Sequence, residues 1–157
     1  MNANFCNDEF FDRNLFTVFR KDRDSTATDT SRGGGVLVAV KSGISAAVVT
    51  LKKADSQLDQ LCVSIDGDRA KLIIFVSYIP PNGSEKLYRD HVDNVLDLSL
   101  ANKEAQFCIL GDYNLSKIIW SCLLDDTVLI PSNVYCPSEI YLIDGFFSLE
   151  LDKLITL

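Results

Sequence analysis

From Leu61 to Ile79 the sequence spells two β-forming runs around a tight turn. Leu61, Val63 and Ile65 alternate with Cys62 and Ser64, Asp66-Gly67 marks the turn, and Leu72 to Ile79 (LIIFVSYI) follows. This pattern predicts a β-hairpin whose apolar side must be covered by other elements. Pro80-Pro81-Asn82-Gly83 ends its second strand. Upstream, Leu15 to Arg20 (LFTVFR) reads as a strand and Asp22 to Ser31 as a Ser/Thr/Asp loop. Gly33-Gly34-Gly35 then feeds Val36 to Val40 (VLVAV), an all-apolar run that suits a strand covered on both faces. Ala46 to Leu51 is a further apolar strand.

Downstream, Ser84 and Glu85 open a helix on which Tyr88, Val92, Val95 and Leu96 share one face. Phe107 to Leu110 (FCIL) reads as a short buried strand that ends at Gly111-Asp112-Tyr113-Asn114. Beyond it, Pro131 and Pro137 break the chain, and a weakly amphipathic segment from about Glu139 to Leu151 is the last helix. Several strands precede the first helix, which predicts packed sheets flanked by helices rather than a strict βαβ alternation.

The 157 residues suffice for one domain with a proper core, and 47% hydrophobic with 24% charged residues is ordinary globular composition. No apolar run spans a bilayer, and the N-terminus shows no secretory pattern. Of the five cysteines, Cys62, Cys108 and Cys122 sit among apolar neighbours and none has zinc-like spacing. They read as small hydrophobes in a reducing compartment, so the expected location is intracellular, nuclear or cytoplasmic. A net charge of −7 argues against binding nucleic acid by bulk electrostatics, though a local basic strip can still face phosphates. The densest strip, Arg20, Lys21, Arg23 and then Arg32, is diluted by aspartates and reads first as a solvated loop.

Chemistry concentrates at ILGDYN (Ile109 to Asn114), where an apolar strand delivers Asp112 and Asn114 with one residue between them. On extended backbone the two side chains share a face, and a strand end holds polar groups rigidly over a cleft. Phosphodiester hydrolysis near neutral pH needs a metal to neutralise the phosphate and a group to orient a water, and an Asp beside an Asn suits that work. Gly, Asp and Asn equally suit a plain turn. Tyr78 closes another apolar strand before Pro80-Pro81, placed either to hydrogen-bond a phosphate oxygen or to rest its hydroxyl in water. The single histidine, His91, lies mid-helix between Asp90 and Val92 and reads as a helix-surface or partly buried residue. Gly33 to Gly35 lacks the Lys-Ser/Thr of a phosphate loop, and neither Asp125-Asp126 nor Asp66-Gly67-Asp68 keeps an EF-hand register.

In order, RGGGVLVAV (Arg32 to Val40), SYIPP (Ser77 to Pro81), a helix containing Tyr88 and His91, and ILGDYNL (Ile109 to Leu115) resemble the endonuclease domain of non-LTR retrotransposons. Glu9 to Asp12 leading into Phe16 to Arg23, and Ile118-Ile119-Trp120 after GDYN, fit the same group. That group belongs to the exonuclease–endonuclease–phosphatase superfamily and is similar to apurinic endonucleases and DNase I. The resemblance implies an α/β (α+β) fold: a two-sheet α/β sandwich with flanking helices, here incomplete, with residues 1–157 forming a partial domain. It implies Mg²⁺ or Mn²⁺, DNA as the partner, and a reverse transcriptase domain in the same polyprotein; no membrane is implied. Residue by residue, Asp112 matches the aspartate that polarises the attacking water. Asn114 matches the asparagine that contacts the phosphate and supports that aspartate, and Tyr78 the phosphate-contacting tyrosine.

Departures from the family pattern set a second expectation. The strands that bring the family's asparagine and its metal-binding glutamate should precede residue 5, Glu9 falls after that position, and the terminal Asp-His pair is not found. The metal ligands are therefore unassigned, and the chain alone is expected to nick DNA little or not at all. It is also expected to expose sheet edges and to fold poorly or aggregate. The alternative is a non-enzymatic remnant or a domesticated nucleic-acid-binding module. A sugar phosphate or RNA substrate ranks last.

Overall fold

The computed structural model describes residues 10–23, 34–54, 58–68, 70–122 and 129–149, without the side chains of Cys122 and Leu129. Its centre is a hairpin formed by β4 (Asp59–Asp66) and β5 (Lys71–Tyr78), antiparallel from the Asp59–Tyr78 pair to the Asp66–Lys71 pair. Gly67 N–H donates to the Ala70 carbonyl at 3.2 Å across the expected turn. β3 (Ala46–Val48) pairs antiparallel with β4, and β6 (Gln106–Asp112) pairs parallel with β5, giving the order β3-β4-β5-β6. A parallel neighbour needs a crossover, supplied here by α1 (Glu85–Ala101).

Period-two alternation decides what each face of this sheet meets. Ile73, Phe75 and Ser77 of β5 are buried, and Ile73 and Phe75 pack with Cys62 and with Val95 of α1. On the other face Leu61, Val63 and Val76 pack against Val36, Val38 and Val40 of β2 (Gly35–Lys41), and against Phe19 of its antiparallel partner β1 (Phe16–Asp22). The arrangement is three layers: a two-stranded sheet, a four-stranded mixed sheet, and helices. The fold is α+β, an incomplete sandwich flanked by helices. A separate hairpin of β7 (Ile119–Cys122) and β8 (Leu129–Ser132) leads to α2 (Pro137–Ser148).

α1 follows its sequence period: Leu87, Tyr88, Val92 and Val95 are buried, while Lys86 with Asp90 and Arg89 with Glu85 form i,i+4 ion pairs. α2 crosses α1 so closely that a Cβ on Gly145 would lie 2.3 Å from Val92 Cγ1. Pro137 does not break the chain; it occupies the first turn of α2, where a missing N–H goes unnoticed. Pro131 lies within β8 opposite Trp120, tolerated because a two-stranded ribbon leaves one side of each strand unpaired.

Three strand expectations need correction. Among the described residues β2 is covered on one face only: Val36, Val38 and Val40 pack on the central sheet, while Leu37 on the other face is 38% exposed. β6 is not fully buried either: no strand flanks it on its outer side among the described residues, and Leu110 is 41% exposed. The strand expected over Ala46 to Leu51 stops at Val48. Among the cysteines, Cys62 is buried, with its thiol pushed up to about 12 by burial, Cys108 is half-buried and Cys136 exposed. Cys6 and the side chain of Cys122 lie outside the described residues.

Candidate functional site

At one end of the central sheet, register places Asp59, Tyr78 and Asp112 side by side on three neighbouring strands, Tyr78 opposite Asp59 on one side and opposite Asp112 on the other. Paired residues point to the same face, so the three side chains form one row on the β1–β2 side. Asp59 is buried, Tyr78 half-buried and Asp112 exposed, a gradient that runs from the sandwich interior to solvent.

Asn114 joins this row by a different route from strand alternation. The strand ends at Asp112, and Asn114 has φ 51°, a left-handed conformation that asparagine tolerates. Its backbone N–H donates to Asp112 Oδ1 at 3.1 Å, an Asx turn, and its Nδ2 donates to the Ile79 carbonyl at 2.9 Å. Ile79 N–H in turn donates to the Asp112 carbonyl at 3.0 Å. The tetrapeptide is thus a turn, and that turn fixes the Asp112 carboxylate and ties it to the exit of the Tyr78 strand. All three sequence-derived site residues, Asp112, Asn114 and Tyr78, meet at the same strand ends.

Beneath the turn lies a polar cluster that the sequence did not disclose. Tyr113 folds inward, and its hydroxyl lies 3.1 Å from His91 Nε2. Gln60 and Ser77 converge on His91 Nδ1 from β4 and β5. Asn94 Nδ2 donates to Gln60 Oε1 at 3.0 Å, which turns the Gln60 amide nitrogen towards the ring. His91 therefore accepts at Nδ1 and carries its proton on Nε2. It is 0% exposed, not a helix-surface residue, and burial lowers its pKa to about 3, so it is neutral. Phe75, Tyr113 and Phe146 enclose it, with ring centroids 6.5, 5.2 and 5.9 Å away. Burial also raises the Tyr113 phenol, and burial with the charges of Cys136, Glu139 and Asp112 raises Tyr88. Tyr88 stays a neutral donor and holds the Tyr113 carbonyl at 2.8 Å.

Gly111 makes room for this arrangement. A Cβ there would lie 2.6 Å from Tyr113 Cζ and 3.0 Å from the Ser77 carbonyl oxygen. Gly111→Ala is expected to displace the Tyr113 ring and destabilise the fold by about 1–3 kcal/mol, the usual range for overpacking. Urea unfolding with near-ultraviolet circular dichroism reads both effects; an unchanged midpoint and aromatic spectrum would contradict them.

The basic strip is not a solvated loop in its described part. Lys21, in β1, donates from Nζ to the Leu58 carbonyl at 2.8 Å. Arg23, just past β1, sends Nε and Nη2 to Asp59 Oδ2 at 2.8 and 2.7 Å, and its Cζ sits 4.7 Å from the Tyr78 ring centroid. Burial works against its charge, but the hydrogen bond and charge of Asp59, and then Tyr78, outweigh it and raise its pKa. Arg32 and Glu9 lie outside the described residues, as do Asp125 and Asp126.

Among the described residues, no group of three or more His, Cys, Asp and Glu side chains gathers to hold a metal ion. Mg²⁺ takes one or two carboxylates when waters and phosphate oxygens complete its shell. At this end Asp59 is turned inward onto Arg23, which leaves Asp112 as the carboxylate facing solvent in the row. The described donors therefore do not by themselves make a metal centre. No helix among the described residues is long and apolar enough to cross a membrane. No family model matches the chain, and a search of curated proteins finds no match either.

Proposed function

We propose that the ends of β5 and β6 serve hydrolysis of a DNA phosphodiester, with Mg²⁺ or Mn²⁺ as cofactor, in a partial domain resembling the endonuclease of non-LTR retrotransposons. The observation that carries this reading is the parallel register of Tyr78 with Asp112, locked by the hydrogen bonds of Asn114 to Asp112 and Ile79. Hydrolysis needs a base that can orient a water and donors that can meet the phosphate, held on rigid elements. The Asp112 carboxylate is exposed and fixed through Oδ1, so it can accept a proton from a water at the strand end. The Tyr78 phenol is a neighbouring donor for a phosphate oxygen. Asn114 sets the carboxylate and secures the turn to the adjacent strand. The metal, when bound, would neutralise charge on the phosphate. In the polyprotein setting that the resemblance suggests, such a nick primes a reverse transcriptase domain.

The sparse carboxylate set among the described residues favours slow turnover by this chain, and it also supports a second reading, a nucleic-acid-binding module without chemistry. Relaxation of supercoiled plasmid in Mg²⁺ separates the two. Slow nicking that stops in EDTA and in Asp112→Ala supports hydrolysis. Duplex binding without nicking supports the module, and neither activity from folded protein removes both.

A further inference from the structure

Arg23 is held on three sides. Its Nε and Nη2 converge on one oxygen of Asp59, whose side chain is 2% exposed, and the Tyr78 ring lies against the guanidinium. On a third side Gly34 approaches so closely that a Cβ would fall 2.6 Å from Arg23 Cζ and 2.7 Å from Nη1. Gly34 has φ 118°, which other residues rarely adopt, so the close approach and the backbone conformation both call for glycine. A surface arginine whose task were only to balance a neighbouring aspartate would need neither the ring nor the glycine. This one is immobilised as a plane, with Nη1 outside the Asp59 fork and the side chain still 21% exposed. An immobilised guanidinium presents its remaining N–H groups with little entropy left to lose, the property that suits arginine to phosphate oxygens. Lys21 adds a second cation to the same end through its bond to the Leu58 carbonyl, next to Asp59.

We propose that Arg23, clamped by Asp59, Tyr78 and Gly34, is a seat for a DNA backbone phosphate beside the phosphodiester faced by Tyr78 and Asp112. The choice of DNA as the polyanion rests on the function proposed above; the geometry of the seat does not. The net charge of −7 makes the site easy to isolate, because general attraction contributes little and one seat should carry a visible share of the salt dependence.

The test is binding of a fluorescent DNA duplex in EDTA, followed by anisotropy over a range of salt concentrations. The paired variant Arg23→Gln/Asp59→Asn leaves the net charge unchanged and strands no buried charge. It is expected to weaken binding about tenfold and to flatten the slope of log K against log salt by about one. Gly34→Ala removes no charge, yet it should weaken binding by displacing the guanidinium, and Arg23→Lys should keep the slope while losing affinity. A slope in the paired variant equal to that of the parent, or no salt-dependent binding by the parent, would overturn the seat. Nicking that persists with an unchanged slope leaves the hydrolase without this seat; a lost slope without any nicking leaves the seat without the hydrolase.

Discussion

Arg23→Met is expected to lower the free energy of unfolding by about 3–5 kcal/mol, the range for removing one partner of a buried ion pair. Asp59 is the reason. Its side chain is 2% exposed, its Oδ2 receives both bonds from Arg23, and its Oδ1 has no hydrogen-bond partner among the described residues. Methionine keeps much of the stem's packing against Tyr78 but leaves that carboxylate without its counter-charge. The reverse change should be milder, because Arg23 is 21% exposed and can turn to water once Asp59→Asn removes its partner. Combining Arg23→Met with Asp59→Leu should recover most of the loss, since a buried pair exchanged for apolar groups is often neutral. Urea unfolding of the four proteins compares these losses. A loss below about 1 kcal/mol for Arg23→Met, as for an exposed pair, would contradict the burial on which the anion seat depends.

Mild acidification should destabilise the fold through His91. Its folded-state pKa of about 3 lies below the ordinary 6.5, so the unfolded chain binds the proton more readily than the folded one. Stability that is full above pH 6.5 is therefore lost as the pH falls towards 3, by up to about 1.4 kcal/mol per unit. Between pH 7 and pH 5, where most carboxylates remain ionised, the loss should reach about 2 kcal/mol and lower the melting temperature by several degrees. His91→Gln should be less stable at pH 7 but flat across that interval. A melting temperature for the parent that does not change from pH 7 to pH 5 would mean that the folded chain takes up the proton as readily as the unfolded one.

Local pattern carried the parts of the fold in which neighbours in sequence are neighbours in space. Leu61 to Ile65 and Leu72 to Ile79 are largely apolar on both faces because one side of each strand meets helices and the other a second sheet, and Asp66-Gly67 turns between them. Tyr88, Val92 and Val95 share a helical face for the same reason. GDYN announced a strand end with polar residues. The backbone φ of Asn114 and its bond to the Ile79 carbonyl belong to tertiary structure, however, so the extended alternation expected for Asp112 and Asn114 gave way to an Asx turn.

What stayed hidden depended on distant partners. Between Asp90 and Val92, nothing marks His91 as buried; its surroundings come from Gln60 and Ser77 on two other strands and from Tyr113 on a loop. Arg23 looked like part of a solvated basic strip because Asp59 is 36 residues away. The exposure of Leu37 and Leu110 follows from how many strands stand beside and over them, which an apolar run cannot state. One hint was present: an odd polar pair, Asp59 and Gln60, opens a run that is otherwise apolar. Polar residues at positions where a strand should be buried are candidates for a network.

The most direct measurement is nicking of supercoiled plasmid by the purified chain in Mg²⁺, beside an EDTA control and the Asp112→Ala protein, each first shown to be folded. Slow conversion to open circles that needs the metal and disappears with Asp112→Ala is the expected result, and it would locate the chemistry at the ends of β5 and β6. Nicking that continues undiminished in folded Asp112→Ala, or none from the folded parent, would contradict a hydrolytic role for these strand ends.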